Sequence, residues 1–204
     1  MSATASRVVI IGGGFAGCKI AHLLLAQSNF QVTLIDPSDF FEVTWVNLRA
    51  IVAPEWAQRS IMPYATFLRG NFRHVQGEAA SLEAKKVLTK CGQEVEFDFC
   101  VVAVGSSYAG FLKAAATTTV ASQRLSEISA LNQSITAASS VLVVGGGSSG
   151  VELAHEILDV HPSKKVRAVA WRSSAAFHPQ IKLSRLTPAH SLPWSTPPTA
   201  SSPP

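Results

Sequence analysis

Short apolar runs recur along the chain, and two of them end in the same spacing of glycines. Residues 8–17 read VVIIGGGFAG and residues 141–150 read VLVVGGGSSG. A continuous β-branched run is typical of a strand that is buried on both faces of a parallel sheet. A helical pattern follows the glycines in each copy, so both copies predict a strand–turn–helix unit of the kind that holds a dinucleotide.

The first unit continues in the order that this kind of fold requires. A helix is predicted over 15–28, and the run FQVTLI predicts a second strand over 30–35. Asp36 ends this strand roughly 20 residues after Gly17, where a carboxylate accepts hydrogen bonds from a nucleotide ribose. The alternative is a glycine-rich turn with a solvent-facing Asp, but the register of strand, helix and acid favours the nucleotide site.

The middle of the chain predicts a helix followed by several strands. Pro54 is suited to open a helix that continues to residue 68, and a strand is predicted over 72–77. A β-meander is predicted over about 85–104, with strands at 86–90, 94–97 and 99–104. The last strand ends in Ala-x-Gly at Gly105, and as a third parallel strand it would close over a cofactor.

The second glycine run is flanked by two helices and a further strand. An amphipathic helix is predicted over 122–139, with its face formed by Leu125, Ile128, Leu131 or Asn132, and Ile135. The strand 141–144, the helix 151–160 and the strand 166–171 come next. The last strand ends in Ala170, Trp171 and Arg172 rather than in an acid. An arginine here accommodates the extra phosphate of NADP, so Arg172 hints at NADPH; an arginine that only flanks a strand is the alternative.

These elements predict an α/β chain with two Rossmann-type βαβ units, of which the second is incomplete. Residues 1–110 would form the first unit with its meander, 111–139 a connecting segment and helix, and 140–172 the partial second unit. Residues 173–204 are rich in Pro and Ser, contain neither glycine nor carboxylate, and are predicted to form a disordered tail.

Composition and charge exclude several classes of function. The formal net charge is only +4, and the basic residues are scattered, so no nucleic-acid partner is expected. The cysteines, Cys18, Cys91 and Cys100, are too few for a disulfide framework and are predicted to be reduced thiols. The 6 histidines show no metal-ligand spacing. Because no signal peptide or apolar run of about 18 residues occurs, a cytoplasmic protein is expected, with peripheral membrane contact left open.

Five segments, taken in order, resemble one family. They are VVIIGGGFAG, VNLRA, FRHVQG, FDFCVVAVGSS and VLVVGGGSSGVELAHEI, and they cover about residues 7–171. The set is similar to the flavoprotein NAD(P)H oxidoreductases of the pyridine-nucleotide-disulfide oxidoreductase fold, in particular the apoptosis-inducing-factor-like and ferroptosis-suppressor-like branch near the type II NAD(P)H dehydrogenases. The resemblance implies FAD at the first glycine run, NADH or NADPH at the second, and hydride transfer through FAD to a small acceptor such as a quinone.

The resemblance also implies which residues contact the cofactors. For FAD they are Gly12, Gly13, Gly14, Phe15, Ala16, Gly17, Asp36, Arg49, Val75, Ala103 and Gly105. For NAD(P)H they are Gly145, Gly147, Gly150 and Glu152. A surface arginine is the alternative for Arg49 and an exposed helical glutamate for Glu152, while Val75 would contribute only main-chain atoms. Val104 replaces a family threonine and so removes a hydroxyl.

No catalytic side chain is predicted, because hydride transfer is the chemistry of the cofactors and the protein supplies binding and orientation. The chain lacks the Cys-x-x-Cys and Cys-x4-Cys spacings of relatives that reduce disulfides, so a thioredoxin- or glutathione-reductase role is not expected. It also lacks the family's later Gly-Asp motif and C-terminal interface domain. We therefore expect a truncated isoform or a misread last exon, with a weakened FAD site.

Two other functions stay open at this point. The chain could be a non-catalytic nucleotide-binding fragment that pairs with a full-length relative through an open sheet edge. It could also be a dehydrogenase for a single nucleotide, although the predicted meander argues against this because simple NAD domains do not need it. The electron acceptor, the choice between NADH and NADPH, and the oligomeric state are not predicted.

Overall fold

The structure is a computed structural model that describes residues 5–107 and 110–169. Its strands and helices, in chain order, are β1 (Ser6–Ile11), α1 (Phe15–Leu25), β2 (Phe30–Asp36), β3 (Phe40–Glu42), α2 (Asn47–Ala50), α3 (Ala57–Ser60), β4 (Ile61–Pro63), β5 (Phe72–Gln76), β6 (Ala79–Leu82), β7 (Lys86–Thr89), β8 (Glu94–Glu96), β9 (Phe99–Val102), α4 (Ala121–Ala137), β10 (Ser140–Val144), α5 (Ser148–Val160) and β11 (Lys165–Val169). Short 3-10 turns lie at Thr44–Val46, Pro54–Trp56 and Tyr64–Thr66.

A four-stranded parallel sheet in the order β5–β2–β1–β9 forms the centre of the first unit. Val8 and Ile10 of β1 pack on the side of α1, whereas Val9 and Ile11 pack on the side of the meander. The prediction that the first apolar run is a strand buried on both faces is therefore confirmed. The α/β class with parallel strands is confirmed with it.

The predicted helix over 54–68 is interrupted by a strand. Pro54–Trp56, α3 (Ala57–Ser60) and Tyr64–Thr66 are helical, but β4 separates α3 from the Tyr64–Thr66 turn. Strand β4 pairs antiparallel with β3, so that Met62 lies opposite Phe41. Pro63 has no N–H and cannot continue a helix, and the pairing buries Phe41 and Ile61.

The meander also differs in detail from its prediction. It has the order β6–β7–β8, and β6 (Ala79–Leu82) was not predicted because its sequence, AASL, has little hydrophobic alternation. The predicted strand 99–104 ends at Val102 and belongs to the parallel sheet, beside β1. Helix α1 ends at Leu25 rather than at residue 28, and the strand after it includes Asp36.

The second unit consists of the parallel pair β10–β11 with α5, and α4 lies in the connecting segment before it. The predicted helices and strands of the connecting segment and the second unit are present, with bounds within one to three residues of those expected. The expected end of the last strand at residue 171 and the expected tail over 173–204 lie outside the described residues. Its apolar side chains do not form a separate core. Val143, Leu153 and Ile157 belong to one buried cluster together with residues of the first unit, among them Leu48 and Ile51. The second unit is thus packed against α2 and α3.

A buried polar joint connects helix α4 to the first unit. The Arg124 guanidinium, 2% exposed, donates to Glu42 at 2.7 Å, to Glu127 at 3.1 Å and to the carbonyl oxygen of Phe111 at 2.7 Å. Glu42 also accepts from the side chain of Asn47 and from the backbone N–H of Ala114. Since Arg124 lies in α4 and Glu42 in β3, the joint fixes the connecting helix to the first unit.

Within the described residues, no helix is long and apolar enough to cross a membrane.

Candidate nucleotide-binding site

The first glycine turn (residues 12–17) is closely surrounded by backbone. Gly12 has φ +104°, its N–H donates to the carbonyl oxygen of Ile35 at 2.8 Å, and a Cβ there would overlap the carbonyl oxygen of Ala103. A Cβ on Gly17 would in turn overlap the carbonyl oxygen of Gly12. Both positions therefore require glycine, as the motif predicts, because the turn is pressed between strand ends and helix α1.

The outer side of this turn is open. Gly14 caps α1 with extended backbone, and no other group lies within 4 Å of the place where its Cβ would be. The first N–H groups of α1 point to this space and carry the positive end of the helix dipole. The turn therefore has the room and the donors that a dinucleotide pyrophosphate needs, so the residues present fit such a group.

Asp36 lies directly beside the first glycine turn. Its carboxylate accepts the backbone N–H of Gly13 at 2.6 Å and that of Ser38 at 2.8 Å. The carboxylate therefore orders the turn and, at the same time, stands at the end of β2 where a nucleotide ribose is expected. A ribose contact with Asp36 stays a prediction, as do the backbone contacts of Val75, Ala103 and Gly105 at the neighbouring strand ends.

Three residues that sequence reasoning missed surround Gly13. Tyr64 is buried, and a Cβ on Gly13 would overlap its hydroxyl oxygen. The ring of His74 lies 4.9 Å from the ring of Tyr64, and the thiol of Cys18 donates to the carbonyl oxygen of Gly13 at 3.1 Å. No motif signals these residues, because β5, the Tyr64–Thr66 turn and α1 bring them together from distant positions.

The titratable groups in this cluster are held in their neutral forms. Burial, with the nearby charge of Asp36, raises the pKa of Cys18 to about 12 and moves the pKa of Tyr64 far above its ordinary value. Burial lowers the pKa of His74, against the opposing influence of Asp36 and Asp39. None of the three adds a charge at pH 7, so they leave the electrostatics of the turn to Asp36 and the helix dipole.

Arg49 is engaged in contacts that its predicted role does not include. Its guanidinium pairs with Glu156 and, at 3.0 Å, with Asp159, both on α5. These carboxylates raise the pKa of Arg49 further. The side chain thus joins α2 of the first unit to α5 of the second, and the FAD contact expected for Arg49 stays a prediction.

An aromatic row extends from the first glycine turn to the surface. Phe15, the first residue of α1, stacks on Trp45 with ring centroids 4.1 Å apart and an interplanar angle of 16°. The Phe15 ring meets Phe41 edge-on at 4.9 Å. Phe41 is buried and contacts Phe67, so the row is anchored in the core.

The second glycine turn (residues 145–150) repeats the backbone geometry of the first. Gly145 has φ +128° and its N–H donates to the carbonyl oxygen of Val169 at 2.8 Å, and a Cβ on Gly150 would overlap the carbonyl oxygen of Gly145. Gly147 caps α5 as Gly14 caps α1. A cavity of about 580 Å³ lies beside this turn, lined in part by Leu48, Phe111 and the glycines themselves.

The strand register identifies which residue replaces the acid in the second unit. Ile11 pairs with Ile35 in the first unit, and Val144 pairs with Val169 in the second. The counterpart of Asp36 is therefore Ala170, the residue after Val169. Ala170 and Arg172 lie outside the described residues. Glu152, predicted to contact the nicotinamide end, is exposed on the first turns of α5.

Comparison with known proteins places this geometry in context. A sequence profile described as "Pyridine nucleotide-disulphide oxidoreductase" matches residues 6–181. Apoptosis-inducing factor homolog A of Dictyostelium discoideum is 35% identical over 158 residues, covering 78% of this chain and 38% of that protein. Ferroptosis suppressor protein 1 of Xenopus tropicalis is 33% identical over 167 residues, covering 80% and 43%. The chain spans about two-fifths of the length of these relatives.

Solved structures agree on the fold. The sulfide:quinone oxidoreductase of Aquifex aeolicus matches with a TM-score of 0.57 and 22% identity, over 81% of this chain and 43% of that chain. The complex of NDH2 from Plasmodium falciparum with NADH matches with a TM-score of 0.53 and 17% identity, over 80% and 41%. At these identities the likeness concerns the fold alone.

Proposed function

Because the chain belongs to the pyridine nucleotide-disulphide oxidoreductase family, we propose that it binds FAD at the first glycine turn and NAD(P)H at the second. In this proposal hydride passes from NAD(P)H through FAD to a small acceptor such as a quinone. The observation that carries the proposal is the first glycine turn, whose open side combines the N–H groups of α1 with Asp36.

The first glycine turn supports FAD through three features. The N–H groups at the start of α1 would bind the pyrophosphate, and Gly14 would let it approach the backbone, while Gly12 and Gly17 allow the tight turn and the close packing of α1. Asp36 would bind the adenosine ribose. Bound FAD would supply the hydride-accepting ring, and the protein's own part would be to bind and orient it. This division explains why no catalytic side chain is needed.

The second glycine turn supports a second dinucleotide less fully. Its glycines and the N-terminus of α5 offer the same pyrophosphate donors. A carboxylate at the counterpart of Asp36 would favour NAD by binding its ribose hydroxyls. With Ala170 at that place, selection between NADH and NADPH would have to come from other residues, Arg172 among them.

A non-catalytic nucleotide-binding fragment is the second candidate function. Strand β10 has β11 as its only described sheet neighbour, and Leu142 and Val144 are 60% and 73% exposed. Such an uncovered strand is open to pairing with another chain, for example a full-length relative. In this case the first turn would bind FAD, whereas the second unit would not complete an electron-transfer path.

Titration of the purified chain with FAD, followed by the flavin absorbance bands, tests the cofactor proposal. We expect Asp36→Asn to weaken FAD about tenfold, because a charge-assisted hydrogen bond to the ribose is lost. Asp98→Asn is the control, since Asp98 is an exposed carboxylate paired with Arg7 away from the turn. A folded, colourless preparation that takes up no FAD would overturn the proposal.

Oxidation of NAD(P)H in the presence of FAD and a soluble quinone separates the two candidates. Turnover by the chain supports the oxidoreductase. Binding of FAD without any turnover supports the fragment instead. Comparison of NADH with NADPH in the same assay shows whether the chain, which has Ala170 in place of a carboxylate, prefers one of the two nucleotides.

A further inference from the structure

Trp45 is an exposed aromatic side chain that is held in a fixed orientation next to the first glycine turn. Trp45 is 60% exposed, although one face of its indole is covered by the nearly parallel ring of Phe15. Phe15 directly follows Gly14, the cap of α1. Trp45 therefore stands one ring away from the place where the pyrophosphate would bind.

The Phe15 ring on which Trp45 stacks is itself supported by two further rings. Phe15 is braced edge-on by the buried ring of Phe41, and Phe41 is in turn packed against Phe67. Trp45 itself belongs to the short 3-10 turn Thr44–Val46, which continues directly into α2. A planar ring with one covered face and one open face can stack with a second planar ring.

Stacking on Phe15 alone does not explain why so much apolar surface is left in water. Phe15 is itself 39% exposed, so the pair presents a continuous aromatic surface at the open side of the turn. Exposed apolar surface of this kind beside a binding site is typical of a ligand contact. A further planar group on the outer face of the indole would cover it.

The proposed cofactor defines which planar group that is. We propose, on the premise that FAD binds at the first glycine turn, that the outer face of the Trp45 indole stacks on the isoalloxazine ring. Asp36 and the N–H of Gly13 mark the adenosine end of the turn. In FAD the pyrophosphate joins the adenosine to the flavin arm, so the flavin would lie on the side of the pyrophosphate away from Asp36, and Phe15 and Trp45 would offer it an aromatic surface. Trp45 is thus a positioning residue for the flavin ring.

A comparison of FAD with ADP separates a contact with the flavin ring from a general effect on the turn. FAD and ADP share the adenosine and its phosphates, but only FAD carries the isoalloxazine. We expect Trp45→Ala to weaken FAD about 5- to 20-fold and to leave the dissociation constant of ADP unchanged. Trp45→Phe, which keeps a planar ring, should restore most of the FAD affinity. Leu82→Ala, which shortens an exposed side chain on the meander, should change neither.

Tryptophan fluorescence supplies a readout that depends on proximity to the flavin. FAD binding should quench the emission, and Trp45→Phe should remove most of the quenching. Trp56→Phe is the matched control, because Trp56 packs against the shared core with Arg59 over its ring. Thermal unfolding of each variant shows whether the fold is retained.

The outcomes distinguish this inference from the premise beneath it. If the folded, unaltered chain takes up no FAD, the proposed function fails, and the role of Trp45 fails with it. If the unaltered chain binds FAD and Trp45→Ala binds it equally well, only the role of Trp45 is overturned. Equal weakening of FAD and ADP by Trp45→Ala would also overturn it, since Trp45 would then support the turn rather than the flavin.

Discussion

The two glycine turns share their backbone geometry and differ in nearly everything around it. Gly12 and Gly145 both have positive φ, and both donate to a carbonyl oxygen near the end of the neighbouring strand, that of Ile35 or Val169. The first turn, however, is enclosed by the end of β9, by Asp36 and by Tyr64. The second turn belongs to a two-stranded sheet whose strand β10 exposes Leu142 and Val144.

The difference shows that the fingerprint specifies a local turn and not a complete site. Gly17 and Gly150 are equally necessary, because each lies against the carbonyl oxygen of the first glycine of its turn. The fingerprint does not determine which elements surround the turn. In the first unit these elements belong to a central parallel sheet, whereas the second unit packs against α2 and α3 of the first unit.

The largest effect should come from breaking the polar joint that fixes α4 to the first unit. Arg124→Met leaves the carboxylate of Glu42 in a buried place without its cation, which should lower the free energy of unfolding by about 3–5 kcal/mol. Arg7→Met is the control, because Arg7 is 43% exposed in its pair with Glu96, solvent screens this pair, and its loss should have a much smaller effect. Urea unfolding, followed by both circular dichroism and fluorescence, measures the change.

The number of transitions in the unfolding curve tests whether the two units share one core. If the second unit is packed into a core shared with the first, Arg124→Met shifts one common transition. Two separate transitions, with the first unit unchanged, would show that the units are independent and would contradict the shared core.

A smaller effect should distinguish the first glycine of each turn. Gly12→Ala suffers both the strain of positive φ and overlap with the carbonyl oxygen of Ala103, so we expect a loss of about 3 kcal/mol or more. Gly145→Ala has the same φ strain but no atom within 4 Å of its Cβ, so a loss of about 1–2 kcal/mol is expected. Equal losses in urea unfolding would show that enclosure of the first turn has no energetic consequence.

The smallest effect concerns pH and is expected at the first turn. Burial lowers the pKa of His74 below its ordinary value of 6.5. The unfolded chain therefore takes up a proton as pH falls below about 6.5, while the folded protein resists it, so the free energy of unfolding declines with falling pH. His74→Gln should reduce this decline, and His155→Gln, on the exposed side of α5, should not.

Periodic segments were predictable because their burial follows from local sequence. Strands β1, β2 and β10 and helices α1, α4 and α5 all lie within a few residues of their predicted bounds. The region 54–68 was not predictable in this way. Its strand β4 exists because β3, some twenty residues earlier, pairs with it and buries Ile61. Helical spacing in one segment cannot reveal a partner in another.

The site was predictable to a similar degree. Asp36 and the glycines lie where the motif predicts, because their roles depend on backbone geometry that the motif encodes. Tyr64 and His74 were missed because tertiary packing alone places them at Gly13. The ion pairs of Arg49 were missed for the same reason, since Glu156 and Asp159 come from a helix in the other unit.

The shared core also sets an order of events during synthesis. Leu48 and Ile51 are buried by Leu153 and Ile157, which follow them by roughly 100 residues. At about 5–20 residues per second, the ribosome delivers these partners about 5–20 s later. Until then the first half of the nascent chain presents uncovered apolar side chains to the cell, so newly made protein should depend on chaperones for this interval.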